Sequence, residues 1–207
     1  GTDLSNITPA LLDITAATLT SPTLPSSVAS GDILTLTGAQ ANSASITNSG
    51  TVRIELSASA ELAASSDIDA ITGTIAFVES DAPTVAVTTL SVASGQTLTI
   101  SAAQVSGKTI SGAGTVTVTG SHSGTDLSNI TSAVLDITAA TLTSPTLPSS
   151  VASGDELKIT AAQISAATIA GEGTITVSGS HTGTDLSNIT PALLDITAAT
   201  LTSPTLP

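Results

Sequence analysis

The stretch VLDITAATLTSPTLPSSVASGDELKITAAQISAATIAGEGTITV, residues 134–177, decides the fold. Three times within it a pair of apolar residues flanks one that points the other way: Leu135-Asp136-Ile137, Leu157-Lys158-Ile159 and Ile175-Thr176-Val177. That alternation has the period of a half-buried strand. Between the pairs stand Ser-Pro-Thr-Leu-Pro, Ala-Ser-Gly-Asp and Gly-Glu-Gly, whose residues favour turns. A helical solenoid would need apolar faces at a 3.6-residue period, and runs such as Thr-Val-Thr-Val-Thr-Gly at 115–120 do not offer one.

Working outward, the first members of such pairs fall at Leu12, Leu34, Val52, Ile71, Leu98, Val116, Leu135, Leu157, Ile175 and Leu194, so the successive spacings are 22, 18, 19, 27, 18, 19, 22, 18 and 19. Ten positions on one beat predict an all-β chain, a parallel β-helix (β-solenoid) of about ten rungs, each of ~18–22 residues. These ten residues form its inward core ladder. The absence of the left-handed hexapeptide pattern favours a right-handed coil. Rungs stacked at ~4.8 Å would make a rod of roughly 45 Å. Three consecutive spacings make a 59-residue triplet, so 1–207 reads as one continuous segment: 1–59, 60–123 with a five-residue insertion, 124–182, and a partial 183–207. The segment Gly1–Pro25 returns unchanged at Gly183–Pro207, and at Gly124–Pro148 with Ser132 and Val134 exchanged, like a register mark along a rod expected to continue in both directions.

Composition fits a narrow core. The chain is 40% apolar but has no Trp, Tyr, Cys or Met and a single Phe, at 77, so Val, Ile, Leu and Ala must do the packing. Sixteen acidic residues stand against three basic ones, Arg53, Lys108 and Lys158, for a formal net charge of −13. Cations this scattered cannot make a phosphate-binding surface, so no nucleic-acid partner is expected. The same scarcity argues against holding anionic membranes, and no run reaches the ~18 apolar residues of a membrane span.

Residues that could carry chemistry have simpler readings. His122 and His181 occupy equivalent places one triplet apart, which at three rungs is ~14 Å; a surface or turn role follows rather than a catalytic triad. Asp3, Asp126 and Asp185 lie in Gly-Thr-Asp-Leu without the glycine-rich calcium pattern and read as turn formers. Asn6, Asn129 and Asn188 head Asn-Ile-Thr triplets and read as turn or ladder residues. Gly107-Lys108-Thr109 lacks the first glycine of a phosphate loop, because position 102 is Ala102. No catalytic, cofactor-binding or metal-ligating residue is assigned, and no cofactor is expected. Asp136 is expected to stack beside Lys158, fixing the register of otherwise similar coils. The insertion between Ile71 and Leu98 holds Phe77, Glu79, Asp81 and Pro83, and Phe77 is a candidate lateral contact between rods.

Coils such as SGKTISGAGTVTVTGS (106–121) resemble those of long repetitive bacterial extracellular β-solenoid surface proteins of the filament and haemagglutinin-like adhesin type. The likeness is compositional and spans the chain. It implies an extracellular or cell-surface structural segment of a filament or giant adhesin stalk that self-associates end to end or by continuation of a longer chain. Two alternatives compete. Thr-x-Thr arrays at Thr35, Thr97, Thr115 and Thr174 resemble those of ice-binding β-helices, and the less favoured reading is a polysaccharide-active β-helix enzyme.

Overall fold

A computed structural model describes all residues except 9, 18, 20, 21, 57–67, 69, 80–88 and 93. The chain is an all-β solenoid, 53% strand, of about eight turns. Its principal face is one parallel sheet whose strands follow chain order: Leu11–Asp13, Ile33–Thr37, Thr51–Leu56, Thr74–Glu79, Thr97–Ser101, Thr109–Ser123, Ile130–Asp136, Glu156–Thr160, Thr174–Thr182 and Leu193–Thr202. These ten strands stand in the place of the ten rungs expected.

Register on this face gives the core. Leu12, Leu34, Val52, Ile75, Leu98, Val116, Leu135, Leu157, Ile175 and Leu194 are successive neighbours. The fourth rung is therefore set by Ile75, and the assignment of Ile71 to this ladder is corrected. Ile71 is fully buried, but it bridges Ile46 on another face of the rod, where Ile46 N donates to Ala70 O and Thr72 N to Ile46 O. The reason is local: Ile71-Thr72-Gly73 cannot supply a second inward side chain, whereas Ile75-Ala76-Phe77 can. Ile75 lies midway along the chain between Val52 and Leu98, so the extra length divides into four residues before this strand and one after it. The boundary at 59/60, Asp81 and Pro83 lie outside the described residues.

Phe77 pairs with Ile54 and is 7% exposed. It stands in the second inward ladder, with Leu36, Ile54, Ile100, Val118, Ile137, Ile159 and Val177. A side chain inside the rod cannot touch a neighbouring rod, so its assignment as a lateral contact is corrected. Each such burial contributes about 1.5–3 kcal/mol, an upper figure because the unfolded chain is already partly collapsed.

Two further faces complete the coil. The second carries Gly120–Ser123 of one strand against Ala140–Thr143 of another, and Gly179–Thr182 against Ala199–Thr202. On the third, Ser150–Val151, Ile169–Gly171 and Ile189–Thr190 stack in order. The corner back to the principal face needs glycine. Gly171 has φ +122°, and a Cβ there would lie 2.1 Å from Val151 O.

The short coils hold helices that the strand pattern did not predict. Each is one turn long: α1 at Gly38–Ala41, α2 at Ala102–Val105 and α3 at Ala161–Ile164. All three carry a reciprocal capping box, Thr37 with Gln40, Ser101 with Gln104 and Thr160 with Gln163.

Candidate functional site: the grooves beside the helices

The longest regular coil, from Leu135 to Leu157, lays Ala140–Thr143 along the second face, and the coil from Ile175 to Leu194 lays Gly179–Thr182 there. The coil between them, from Leu157 to Ile175, places a helix-capping Thr160–Gln163 run where its neighbours place a strand, and it turns the corner with α3 instead. A gap in the sheet would leave backbone groups unpaired, which is costly when they are buried. Gln163 bridges that gap. Its Oε1 accepts from Thr160 N at 3.0 Å, while Nε2 donates to Ala140 O at 2.9 Å and Ile137 O at 3.3 Å on the coil before. Gln40 does the same in the first repeat, accepting from Thr37 N at 2.8 Å and donating to Ile14 O at 3.0 Å. The third glutamine, Gln104, accepts from Ser101 N, and among the described residues its Nε2 has no acceptor.

Toward the following coil, Ala166 N donates to Asp185 O at 2.8 Å and Asp185 N to Ser165 Oγ at 3.1 Å. Gly107, Asp126 and Ser106 repeat both bonds.

What remains beside α3 is an open, mostly polar groove of about 480 Å3, lined by Leu142, Pro145 and Leu147 on one coil and Gln163, Ser165 and Thr168 on the next. An equivalent groove of about 470 Å3 lies beside α1, lined by Leu19, Pro22 and Leu24 on one coil and Gln40, Asn42 and Ser45 on the next. Among the described residues no charged side chain lines either groove. The non-glycine residues with left-handed backbone among the described ones are Ser43, Ser144, Ala166 and Ser203. Ser43 lines the first groove, Ser144 and Ala166 the second, and Ser203 is the counterpart of Ser144 in the last repeat. That conformation costs about 1–2 kcal/mol for an L-residue. Gly107 takes the equivalent place after α2 without that penalty.

The singled-out polar residues are structural in their surroundings. His122 Nδ1 lies 3.0 Å from Thr125 Oγ1 and His181 Nδ1 2.9 Å from Thr184 Oγ1, with both threonines fully buried. The histidines register against Leu142 and Leu201 and do not meet each other. Asp3, Asp126 and Asp185 accept from Ser5, Ser128 and Ser187 N at 2.9–3.0 Å, closing turns. Hydrogen bonds from the side chain and backbone of Ser5 and of Ser128 hold Asp3 and Asp126 below the ordinary carboxylate range, and those from the backbone and side chain of Ser187 do so for Asp185. Asn129 and Asn188 are exposed, and their carbonyls accept from Ile110 N and Ile169 N. Among the described residues no three His, Asp or Glu side chains are grouped as a metal site.

Asp136 and Lys158 are neighbours in register, yet no ion pair joins them. Lys158 Nζ pairs with Glu156 at 3.5 Å on its own strand, and Asp136 accepts instead from Thr138 N at 3.0 Å and Thr138 Oγ1 at 2.6 Å. A hydroxyl two residues away needs no long side chain to be ordered, so the local partner wins over the cross-coil one.

The outward column beside the core reads Leu11, Ile33, Thr51, Thr74, Thr97, Thr115, Val134, Glu156, Thr174 and Leu193. Thr74 joins it only because Ile75 sets the rung, so four threonines follow one another. Sequence reasoning named Thr97, Thr115 and Thr174 of this column but missed its run of four threonines and the grooves. The Ser/Thr-x-x-Gln signature at 37–40, 101–104 and 160–163 was the available signal for the helices. No family model, curated protein or solved structure matches the chain.

Proposed function

We propose that the chain is a structural, non-catalytic segment of an extracellular bacterial filament or giant adhesin stalk. The observation that carries this reading is the principal face, where ten parallel strands stack over two inward ladders. A stack of this kind converts chain length into reach at ~4.8 Å per coil, and each coil is held by backbone bonds to both neighbours. A hydroxyl-rich surface with an excess of acidic residues suits a long polymer that must stay soluble. Rods of this type would associate with copies of themselves end to end, or continue one another within a longer chain. Electron microscopy of the native material tests the proposal: uniform filaments with a ~4.8 Å axial repeat are expected, and isolated compact particles would contradict it.

The column Thr51, Thr74, Thr97 and Thr115 supports a second reading, an ice-binding face. Its companion column is threonine only at Thr99 and Thr117 among these rungs, with Arg53 and Ala76 in the other places. Thermal hysteresis and inhibition of ice recrystallisation would be expected of such a face, and a null result in both removes it.

A further inference from the structure

We propose that two equivalent pockets on the third face bind the primary ammonium group of a short aliphatic amine. The inference goes beyond the rod's mechanical role and does not depend on it. The larger pocket, of about 100 Å3, is lined by Ile130, Leu135, Pro148, Val151, Leu157 and Asp155. Its counterpart, of about 70 Å3, is lined by the corresponding Ile7, Leu12, Pro25, Val28, Leu34 and Asp32. Both open where the sheet of the third face is interrupted. Ile130 pairs with Ile110 on the coil before it and Ser150–Val151 with the coil after it, but among the described residues no strand pairing joins the two to each other. Ser27–Val28 likewise pairs only with Thr47–Asn48.

The repeat between them shows what the interruption lacks. Gln96 follows the same Ser-Gly as Asp32 and Asp155, and its Nε2 donates to Ile71 O on the coil before. Ile71 in turn stands where Ile7 and Ile130 do: Ile71 N donates to Ile68 O as Ile7 N does to Leu4 O and Ile130 N to Leu127 O. Gln96 is buried, whereas Asp32 and Asp155 are only half-buried. An aspartate is one methylene shorter than a glutamine, and its carboxylate accepts but cannot donate. Two acceptors, a carboxylate and a carbonyl, therefore line one space without a donor between them. Among the described residues no hydrogen bond reaches the carboxylates of Asp32 and Asp155 or the carbonyls of Ile7 and Ile130. Glu156 also lines the larger pocket, but it is held by Lys158 and Thr176, and Ile33 takes its place in the other. An ammonium supplies donors to both acceptors, and its charge strengthens the bonds. An aliphatic stem matches the Ile, Leu, Pro and Val lining, and the volume admits only a short one. A calcium ion would need more oxygen ligands than one carboxylate and one carbonyl, and an anion would meet the carboxylate.

The test is an NMR titration of the whole chain at neutral pH, following the side-chain carboxyl carbons of Asp32 and Asp155 and the carbonyl carbons of Ile7 and Ile130. Butylamine, which is protonated there, should shift all four and saturate. Butanol has the stem without the charge and tetramethylammonium the charge without donors, so neither should. Asp155→Asn and Asp32→Asn should each weaken binding at their own pocket about tenfold or more and leave the other unchanged. The double variant Asp32→Gln/Asp155→Gln brings in the side chain of the middle repeat, whose amide can bond the Ile7 and Ile130 carbonyls. It should abolish binding while Tm is retained or raised. If the glutamines lower Tm, the asparagine variants decide. Nα-acetyl-lysine N-methylamide separates the two sources of this chemistry: binding as tight as butylamine supports the proposal with a partner's lysine side chain as occupant, and weaker binding supports it with a free amine. Absence of a saturable shift with butylamine, an equal response to butanol or tetramethylammonium, or unchanged affinity in the asparagine variants would overturn the proposal.

Discussion

On the principal face strand follows strand from Leu11–Asp13 to Leu193–Thr202, while on the second face Ala140–Thr143 is followed by α3 rather than by another strand. Both faces belong to the same coils, so the difference lies in local sequence: a Ser/Thr-x-x-Gln capping box stands at the corner of the coils that form a helix, and Gly-Ser-His at the corner of others, which form a strand. Every coil supplies the inward-outward-inward triplet that the principal face needs. Not every coil forms a strand on the second, and where the helix-forming coil passes, a glutamine side chain stands in for a strand edge. Continuity therefore depends on side-chain alternation, and interruption is tolerated where a polar side chain reaches the orphaned carbonyls.

Substitutions can break or sharpen this contrast, and the largest loss is expected where continuity rests on packing. Ile175→Ala on the principal face removes a fully buried side chain and should cost roughly 2–5 kcal/mol in urea denaturation. At the corner of the third face, Gly171→Ala forces a Cβ against Val151 O at φ +122°, and about 1–3 kcal/mol is expected. Gly107→Ala should cost less, because its Cβ would meet nothing within 4 Å. On the second face, Gln163→Leu leaves Thr160 N and Ala140 O without their partner, a loss of about 1–2 kcal/mol. Gln163→Glu keeps the cap but not the donor, so it should separate the two roles of this side chain. Ala166→Gly relieves the left-handed strain and should stabilise by about 0.5–1 kcal/mol, net of the glycine's added unfolded-state entropy.

The smallest effect concerns acid. Asp13 is held below the ordinary carboxylate range by hydrogen bonds from Thr15 N and Oγ1, Asp195 by those from the side chain and backbone of Thr197, and Asp3, Asp126 and Asp185 by their serines. A depressed folded-state pKa contributes stability present above the unfolded value, about 3.9, and lost as pH falls through the folded one. These carboxylates are solvent-facing, so the loss should be slight. A carbon-detected NMR titration should find all five ionising below that value, and a midpoint above it at any of them would remove that turn from the account.

The sequence disclosed the principal face because alternation of Leu, Ile and Val with Thr, Asp and Lys survives in nearly every coil. It misled at Ile71, an apolar residue that fell on the expected beat but belongs to another face. The phenylalanine shows the same limit: composition made Phe77 conspicuous, and conspicuousness suggested a surface role, yet a ladder of branched aliphatics simply has one larger member. The grooves were not legible because they arise where a helical corner is stacked against strand-forming ones, which no single coil displays. Lys158 was placed beside Asp136 correctly by register, but which oxygen it contacts depends on local partners that register does not specify.

The central claim is that every principal-face strand, including the one set by Ile75, is one rung of a straight stack. The chain has no cysteine, so spin labels at R53C and K158C can be placed cleanly on one outward column, five rungs apart by register. Double electron–electron resonance should give a single narrow distance of about 24 Å, allowing for label length. A distance of about 19 Å, one rung spacing shorter, would mean that the Ile75 strand is not a rung of its own, and a broad distribution would contradict the rod itself.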